Sequence, residues 1–313
     1  MSIAFIFPGQ GSQKTGMGKA LSEAFPVARA VFEEIDEALQ QNLSRLMWDG
    51  PDEELTLTEN AQPALMAVSL ATFRVLQHEA GLDLAGKAAC VAGHSLGEYS
   101  ALAAAGVFSL KDAARLLKTR GRAMQAAVPV GEGAMAALLG LDMDQVRAVA
   151  EEASAAGVCE IANDNAPGQV VISGARAAVE QAMVLAKQAG ARRALPLPVS
   201  APFHCSLMAP AAEVMAEALA ATDMHAPAVP LMANVSAGLV SDVDTIRQGL
   251  VQQVIATVRW TESVQAMASS GVTALYELGA GNVLTGLARR IDRDLTAMAA
   301  GTPETVEELA AAL

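Results

Sequence analysis

The sequence predicts an α/β protein with a mainly parallel sheet, and three observations lead to this fold class. Short apolar segments of strand length alternate with longer segments of helical periodicity along most of the 313 residues. This alternation is typical of parallel strands that are covered by helices on both faces. Hydrophobic residues make up 52% of the chain and charged residues 18%, which is a globular balance. The length is sufficient for one large domain or two smaller ones.

The first part of the chain predicts the beginning of this α/β core. An apolar segment at residues 3–7 predicts a buried strand and is followed by a glycine-rich turn. Ser109, with Asp112 three residues later, is an N-cap signal for a helix. The elements predicted here are a strand at 3–7, helices to about 39, a helix at 58–77, a strand at 88–92 and a helix after Ser109 that ends near 128.

The middle of the chain changes character and predicts an inserted unit. Its elements follow the order β-α-β-β-α-β, which is the order of a ferredoxin-like subdomain. They are strands at 134–141, 158–162, 169–173 and 193–199, with helices at 142–156 and 175–189. The α/β pattern then resumes, with strands near 231–235 and 272–278 and helices near 242–255 and 282–293. We therefore expect a discontinuous main α/β subdomain at 1–128 and 199–313, and a ferredoxin-like α+β subdomain at 129–198.

Charge, cysteine content and the N-terminal segment exclude several classes of function. A net charge of −13 argues against nucleic acid as the main partner, because phosphate binding needs a concentrated basic surface. The three cysteines form no C-x-x-C pair, which favours a reduced, cytoplasmic setting. Pro8 and Gly9 end the first apolar run early, so neither a signal peptide nor a membrane span is expected. The Cys and His spacings of metal sites are not found either, so no metal is expected.

The segment Gly93-His94-Ser95-Leu96-Gly97 matches the pattern G-x-S-x-G. It follows a short apolar strand and precedes a segment of helical pattern. This strand–turn–helix context is that of a nucleophile elbow, in which the flanking glycines permit a cramped turn that presents the serine hydroxyl. The N-terminus of the following helix stabilises the negative charge that develops during acyl transfer. An ordinary glycine-rich turn is the alternative interpretation.

A serine nucleophile needs a base, and the chain contains four histidines. His204 lies just after the inserted unit, where the chain re-enters the main subdomain, and a loop between subdomains is a natural position for a catalytic base. His94 adjoins Ser95 on a sharp turn, where neighbouring side chains usually point apart. His78 falls late in a helical segment and His225 in a polar loop. A structural histidine is the alternative for His204.

Arg120 stands out because it lies on the apolar stripe of its predicted helix. It is four residues after Leu116 and four before Met124, both on that stripe, whereas the other basic residues of the helix mark a separate polar face. An arginine on an apolar stripe needs an anion, since an unpaired buried charge is costly. The partner is either a protein carboxylate in a structural pair or the carboxylate of a substrate held by a bidentate clamp.

The glycine-rich loop at Gly9–Gly16 follows the first predicted strand. The dinucleotide-binding pattern G-x-G-x-x-G fails because Lys14 occupies the third glycine position, and the P-loop spacing fails as well. In an open α/β sheet both this loop and the elbow lie at the carboxyl edge. The loop is therefore positioned to supply a backbone N–H to the site around Ser95.

Together these motifs resemble the malonyl-CoA:acyl-carrier-protein transacylase family of bacterial fatty-acid synthesis, and the resemblance spans essentially the whole chain. Several separate motifs in the right order are far more specific than any one of them. They are Phe7 to Gln13, Gly93 to Tyr99, Arg120-Gly121, Asn163 to Gly174, Ser200 to His204, and Gly279 to Gly286.

The resemblance implies a role for each candidate at the serine. Ser95 is the nucleophile and His204 its base, and the backbone N–H groups of Gln10 and Leu96 form the oxyanion hole. In this family the histidine is oriented by a backbone carbonyl rather than by an acidic side chain, and the matching position here is Gln253.

The resemblance also implies a substrate and a fold. Arg120 holds the malonyl carboxylate. Phe203 departs from the family pattern, since many bacterial members have a small polar residue before the histidine. Polyketide acyltransferases that select malonyl often have phenylalanine there, and we expect it to narrow the acyl pocket against branched acyl groups. The family fold is a hydrolase-like α/β core with an inserted ferredoxin-like subdomain, which agrees with the pattern of elements found above.

The expected reaction transfers a malonyl group from malonyl-CoA to the phosphopantetheine thiol of an acyl carrier protein, with no permanently bound cofactor. Because carrier proteins are typically acidic, basic residues near the mouth of the site are expected to bind them, and Arg192, Arg193, Arg289 and Arg290 are candidates. The alternatives are a serine esterase or thioesterase, a transferase for another acyl-CoA, and a non-catalytic subunit that docks carrier proteins.

Overall fold

We describe the protein from a computed structural model, which covers residues 2–199 and 201–313. The strands are β1 (Ile3–Phe7), β2 (Ala88–Gly93), β3 (Gly133–Leu139), β4 (Cys159–Ala166), β5 (Gln169–Ala175), β6 (Arg193–Pro196), β7 (Leu231–Ala233), β8 (Gly238–Val240), β9 (Val258–Arg259), β10 (Ala274–Leu278) and β11 (Thr296–Ala300). The α-helices are α1 (Lys19–Ala24), α2 (Pro26–Leu39), α3 (Leu43–Asp49), α4 (Asp52–Thr56), α5 (Thr58–Glu79), α6 (Leu84–Lys87), α7 (Gly97–Ala104), α8 (Leu110–Ala126), α9 (Met143–Ala153), α10 (Arg176–Gln188), α11 (Ala209–Ala220), α12 (Val243–Gln253), α13 (Trp260–Ser269), α14 (Val283–Ile291) and α15 (Pro303–Ala312).

A six-stranded sheet in the order β11-β10-β1-β2-β7-β8 forms the centre of the molecule. The first five of these strands run parallel, and β8 joins the edge antiparallel to β7. The central strand β1 is buried along its whole length. Its Phe5 and Phe7 pack in one apolar cluster and its Ala4 and Ile6 in another, because successive side chains of a strand point to opposite faces. Helices therefore cover both faces of this sheet.

Parallel strands place their carboxyl ends at one edge, and this edge positions the functional site. Strands β1, β2 and β7 are neighbours, so the loops that follow them converge. Gln10 follows β1, Ser95 follows β2, and Asn234 follows β7 directly. The crevice at the carboxyl edge of such a sheet is the usual ligand site of open α/β folds.

A second sheet in the order β6-β3-β5-β4-β9 lies beside this edge. The strands β3 to β6 pair antiparallel, and α9 and α10 cover them with a separate apolar core. The short strand β9 comes from the later part of the chain and pairs parallel with β4 at Asn163 and Asp164. This pairing connects the two sheets close to the end of α12.

The predicted α/β class is confirmed, and most predicted elements are present with shifted ends. The strand predicted at 158–162 extends to Ala166, because its antiparallel pairing with β5 continues as far as Ala166, opposite Gln169. The strand predicted at 193–199 ends at Pro196, because Pro196 and Pro198 lack the N–H groups that would continue the ladder. Ser109 caps α8 as predicted, since its hydroxyl accepts a hydrogen bond from the N–H of Asp112.

The helix N-terminus of α14 is stabilised by a buried carboxylate of the central sheet. Glu277 lies on β10, and its two oxygens accept hydrogen bonds from the N–H groups of Leu284 at 3.1 Å and Thr285 at 2.7 Å. Burial raises the pKa of Glu277, while these two backbone donors lower it.

Among the helices that the described residues form, none combines the length and the apolar character that crossing a membrane requires.

Candidate active site

Ser95 sits at a strained turn between β2 and α7. Its φ of 53° lies in the left-handed region, which non-glycine residues rarely adopt and which is common at functional sites. The turn is possible because glycines flank it. A Cβ at Gly93 would lie 1.9 Å from the carbonyl carbon of Gly97, and a Cβ at Gly97 would lie 2.2 Å from the carbonyl oxygen of Phe7. The predicted elbow therefore has its expected geometry, with the N-terminus of α7 beside the serine.

The side chain of Asn234, the residue after the neighbouring strand β7, stabilises this turn. Its Oδ1 accepts a hydrogen bond from the N–H of Ser95 at 2.8 Å, and its Nδ2 donates to the carbonyl of Gly93 at 2.7 Å. Asn234 is fully buried, so these hydrogen bonds are shielded from water. The N–H of Ser95 is therefore engaged within the protein, and the next residue, Leu96, lines the cavity.

His204 forms a hydrogen bond with the hydroxyl of Ser95. Its Nε2 lies 2.7 Å from Ser95 Oγ, and its Nδ1 lies 2.8 Å from the backbone carbonyl oxygen of Gln253. A carbonyl only accepts, so Nδ1 carries the proton and Nε2 is free to accept the proton of the serine. His204 has a φ of 59°, so both members of the pair occupy the left-handed region. Ser200, the first residue of the motif around His204, lies outside the described residues.

The environment of His204 favours the neutral imidazole. The side chain is buried, and burial lowers its pKa to about 3, with the positive charge of Arg120 as the second cause. The hydrogen bond to the carbonyl of Gln253 acts in the opposite direction. No carboxylate is among the hydrogen-bond partners that the described residues provide to this ring, so the imidazolium lacks a direct counter-ion.

Arg120 is buried beside the serine, with 1% of its surface exposed. Its Nη2 donates to Ser95 Oγ at 3.2 Å and to Gln253 Oε1 at 2.9 Å, and its Nη1 donates to Gln62 Oε1 at 2.8 Å. The guanidinium carbon also lies 5.7 Å from the centroid of the Tyr99 ring, within the range of a cation–π contact. In the ion pairs that the described residues form, Arg120 takes no part. The groups that contact its guanidinium directly are therefore neutral.

A cavity of about 330 Å³ opens above these residues. Ser95, His204 and Arg120 lie in its wall together with Gln10 and Leu96. Phe203, which is largely buried, contributes to an apolar part of the wall. The structure thus brings all of the sequence-predicted site residues together, Gln253 through its contacts with His204 and Arg120. His78 and His225 are exposed and lie elsewhere.

Several polar residues of the site were not found by sequence reasoning. They are Asn234, Gln62, the buried Glu98 that follows the elbow, and the pair of His94 Nε2 with Asn165 Oδ1 at 2.8 Å. Gln62 lies on α5, a helix that is buried over most of its length. A polar residue in such a helix indicates a buried hydrogen-bond partner, and this signal could have identified Gln62. A cluster of three or more His, Cys, Asp or Glu residues fit to bind a metal is not found in the described part of the chain.

Comparisons with known proteins place these features in a family context. The family model of the acyl transferase domain matches residues 4–304. A malonyl CoA-acyl carrier protein transacylase of Escherichia coli (strain K12) is 49% identical over 305 residues, which cover 97% of this chain and 97% of that protein.

Solved structures agree with the sequence comparison. The acyl-carrier-protein-S-malonyltransferase from Bartonella henselae is 56% identical, with a TM-score of 0.98, over 100% of this chain and 99% of that chain. A malonyl-transacylase in complex with a type II PKS acyl-carrier protein is 43% identical, with a TM-score of 0.97, over 100% of both chains.

We expect the reactivity of Ser95 to stay nearly constant while the pH falls through the usual titration range of histidine. With its pKa lowered to about 3, His204 remains neutral and able to accept a proton well below pH 6. The measurement is the rate at which a neutral serine-directed reagent, phenylmethanesulfonyl fluoride, modifies the protein between about pH 5 and pH 8. Ser95→Ala is the control. A rate that halves near about pH 6.5, the ordinary pKa of histidine, contradicts the conclusion that burial and Arg120 lower the pKa of His204.

Proposed function

The chain belongs to the acyl transferase family, and we propose that it transfers a malonyl group from malonyl-CoA to the phosphopantetheine thiol of an acyl carrier protein in fatty-acid biosynthesis. The observation that carries the malonyl assignment is the position of Arg120. Its buried charge lies 3.2 Å from the hydroxyl of Ser95 and lacks a carboxylate in direct contact within the described residues. An acyl group that ends in a carboxylate supplies that missing partner.

The first half-reaction forms a malonyl ester on Ser95. His204 Nε2 takes the hydroxyl proton while Oγ attacks the thioester carbonyl carbon, and the carbonyl oxygen becomes an oxyanion. The N–H groups of Gln10 and Leu96 and the N-terminus of α7 stabilise this oxyanion. The intermediate collapses, the carbon–sulfur bond breaks, and His204 returns the proton to the sulfur of the departing coenzyme A.

The second half-reaction discharges the ester to the carrier protein. His204 takes the proton of the phosphopantetheine thiol, and the sulfur attacks the ester carbonyl. The bond to Ser95 Oγ breaks, and the proton returns from His204 to the serine. Because one acyl transfer is divided into two steps on the same serine, the kinetics are ping-pong.

His204 is oriented by the backbone carbonyl of Gln253 instead of by the acidic side chain of an esterase. This arrangement favours acyl transfer to a thiol over hydrolysis by water. A neutral carbonyl orients His204 but does not compensate an imidazolium, so the base stays weak. A weak base deprotonates a thiol, with a pKa of about 8.5, far more readily than water, with a pKa of about 15.7. An esterase has no comparable use for a buried arginine beside its nucleophile.

Substrate, partners and setting follow from the same assignment. Malonyl-CoA and the acyl carrier protein are the two substrates, and the proposed chemistry uses no permanently bound cofactor. The three cysteines are free and buried, which fits a reduced, cytoplasmic setting.

Arg290 on α14 binds the turn between β4 and β5 by donating to Gln169 and to the carbonyl of Pro167. Since β4 also contributes Asn163 to the cavity wall, we propose this end of the second sheet as part of the carrier surface.

We also propose a division of the fold that serves this chemistry. Residues 1–128 and 199–313 form a hydrolase-like core that carries Ser95 and Arg120, and residues 129–198 form a ferredoxin-like subdomain. The strand order β6-β3-β5-β4 with α9 and α10 on one side supports the second assignment. His204 follows the point where the chain returns to the core, so the active site lies between the two units.

Replacing Arg120 by Ala is expected to lower kcat/KM for malonyl-CoA by about 100-fold, since removing one partner of a buried charge pair costs about 3 kcal/mol. Acetyl-CoA has no carboxylate, so its transfer should change little or increase, because Ser95 Oγ and His204 lose the influence of the neighbouring positive charge. Steady-state kinetics with both thioesters measure the difference. Arg122→Ala, an exposed arginine of the same helix, is the matched control. Equal losses with both thioesters make Arg120 a structural residue.

Replacing Phe203 by Ala is expected to widen the acyl pocket. Phe203 is 7% exposed and lines the cavity, so removing its ring leaves space beside the acyl group. The transfer of methylmalonyl relative to malonyl should rise by about tenfold, which corresponds to the 1–3 kcal/mol that one methyl group is worth in a pocket. Competition between the two thioesters provides the measurement. An unchanged ratio shows that Phe203 does not limit the size of the acyl group.

A further inference from the structure

The side chain of Gln253 contacts four groups of the site besides the backbone contact with His204. Its Oε1 accepts a hydrogen bond from Arg120 Nη2 at 2.9 Å, and its Nε2 donates to the backbone carbonyl of Ser95 at 2.9 Å. The same Nε2 donates to a carboxylate oxygen of Glu98 and makes a longer contact of 3.4 Å with Asn234 Oδ1. A primary amide has two donor hydrogens and one acceptor oxygen, so every function of this amide is used. Gln253 is fully buried, so water does not compete for these partners.

The partners allow only one orientation of the amide. Ser95 O and Glu98 accept on one side, while Arg120 donates on the other. A rotation by a half turn would direct the amide NH₂ at the guanidinium and the amide oxygen at two acceptors. The second oxygen of Glu98 accepts the N–H of Asn234 at 3.1 Å. Both oxygens of Glu98 thus accept, which matches the ionised carboxylate.

Hydrogen bonds link Glu98 to Gln253 and Gln253 to Arg120. The negative charge of Glu98 is therefore separated from the guanidinium by one amide group. Glu98 therefore compensates the charge of Arg120 through space without occupying its N–H groups. On the other side, Gln62 holds Nη1 with a neutral amide oxygen. A carboxylate in direct contact would saturate the guanidinium and exclude an acidic acyl group. Two neutral amides fix its direction and leave its charge available.

We propose that the side-chain amide of Gln253, locked in one orientation by Glu98, is a positioning group that aims Arg120 at the acyl pocket and thereby sets the preference for an acyl group with a carboxylate. This inference rests on the proposed function. It adds a side-chain role to Gln253 that is independent of the backbone carbonyl that orients His204.

Two substitutions test the side-chain role. Gln253→Met keeps the backbone carbonyl and a similar length but removes the amide, whereas Glu98→Gln removes the charge and leaves too few acceptors for the two donors. The matched control is Glu277→Gln, because Glu277 is also a buried glutamate whose two oxygens each accept one N–H, remote from Arg120 in its contacts. Burial raises the pKa of Glu98 to about 7, so assays at about pH 8 keep it ionised.

The readout is the ratio of kcat/KM for malonyl-CoA to that for acetyl-CoA. We expect this ratio to fall by about tenfold or more in Gln253→Met and in Glu98→Gln, which corresponds to about 1.4 kcal/mol, because each variant removes a hydrogen bond to a charged group. Glu277→Gln should lower the thermal midpoint and leave the ratio unchanged. If one of the two variants does not fold, the ratio in the other decides.

Several outcomes overturn the inference. An unchanged ratio in the folded variants shows that the amide does not position Arg120. An equal loss with both thioesters shows that Gln253 acts only through its backbone or through the fold. A shift of the ratio in Glu277→Gln shows that any buried glutamate produces the effect. A wild-type protein that transfers neither acyl group contradicts the proposed function itself, so the two failures are distinguishable.

Discussion

The active site is organised around one oxygen atom, the Oγ of Ser95, which two different groups share. His204 Nε2 lies 2.7 Å from it and Arg120 Nη2 lies 3.2 Å from it. In the proposed mechanism the first contact activates this oxygen as the nucleophile, and the second places a buried positive charge beside any acyl group attached there. The two contacts are coupled, because the positive charge of Arg120 lowers the pKa of His204. A carboxylate on the substrate would neutralise this charge, so the proposed substrate improves the base that acts on it.

Ser95 and His204 are brought together by strained backbone conformations, and residues at the carboxyl edge of the central sheet hold these conformations in place. Ser95 and His204 have φ values of 53° and 59°, and each is fixed by groups from a different part of the chain. Asn234, which directly follows β7, binds both sides of the turn, and the end of α12 supplies the carbonyl for His204. The short pairing of β9 with β4 then ties this region to the second sheet. Local strain of this kind persists only where the surroundings determine it.

The sequence alone predicts those parts of the site that have a local signature. Ser95 is found because a G-x-S-x-G pattern follows an apolar strand, and Arg120 because a charge interrupts an apolar stripe. Asn234 has no such signature, since a polar residue after a strand acquires its role only when β7 is known to lie beside β2. The same holds for the side chain of Gln253, whose partners lie far away in sequence. Strands such as β9, with two residues, and the alanine-rich β11 lack a periodic pattern that distinguishes them from their surroundings.

In the proposed mechanism Ser95 carries a malonyl group during the reaction. The most direct measurement is the intact mass of the protein after brief mixing with equal amounts of malonyl-CoA and acetyl-CoA, followed by addition of an acyl carrier protein that bears its phosphopantetheine arm. We expect a mass increase of one malonyl group, its absence in Ser95→Ala, and its disappearance when the carrier protein is added. An adduct that persists in Ser95→Ala, an acetyl adduct in excess, or no adduct at all contradicts malonyl transfer through Ser95.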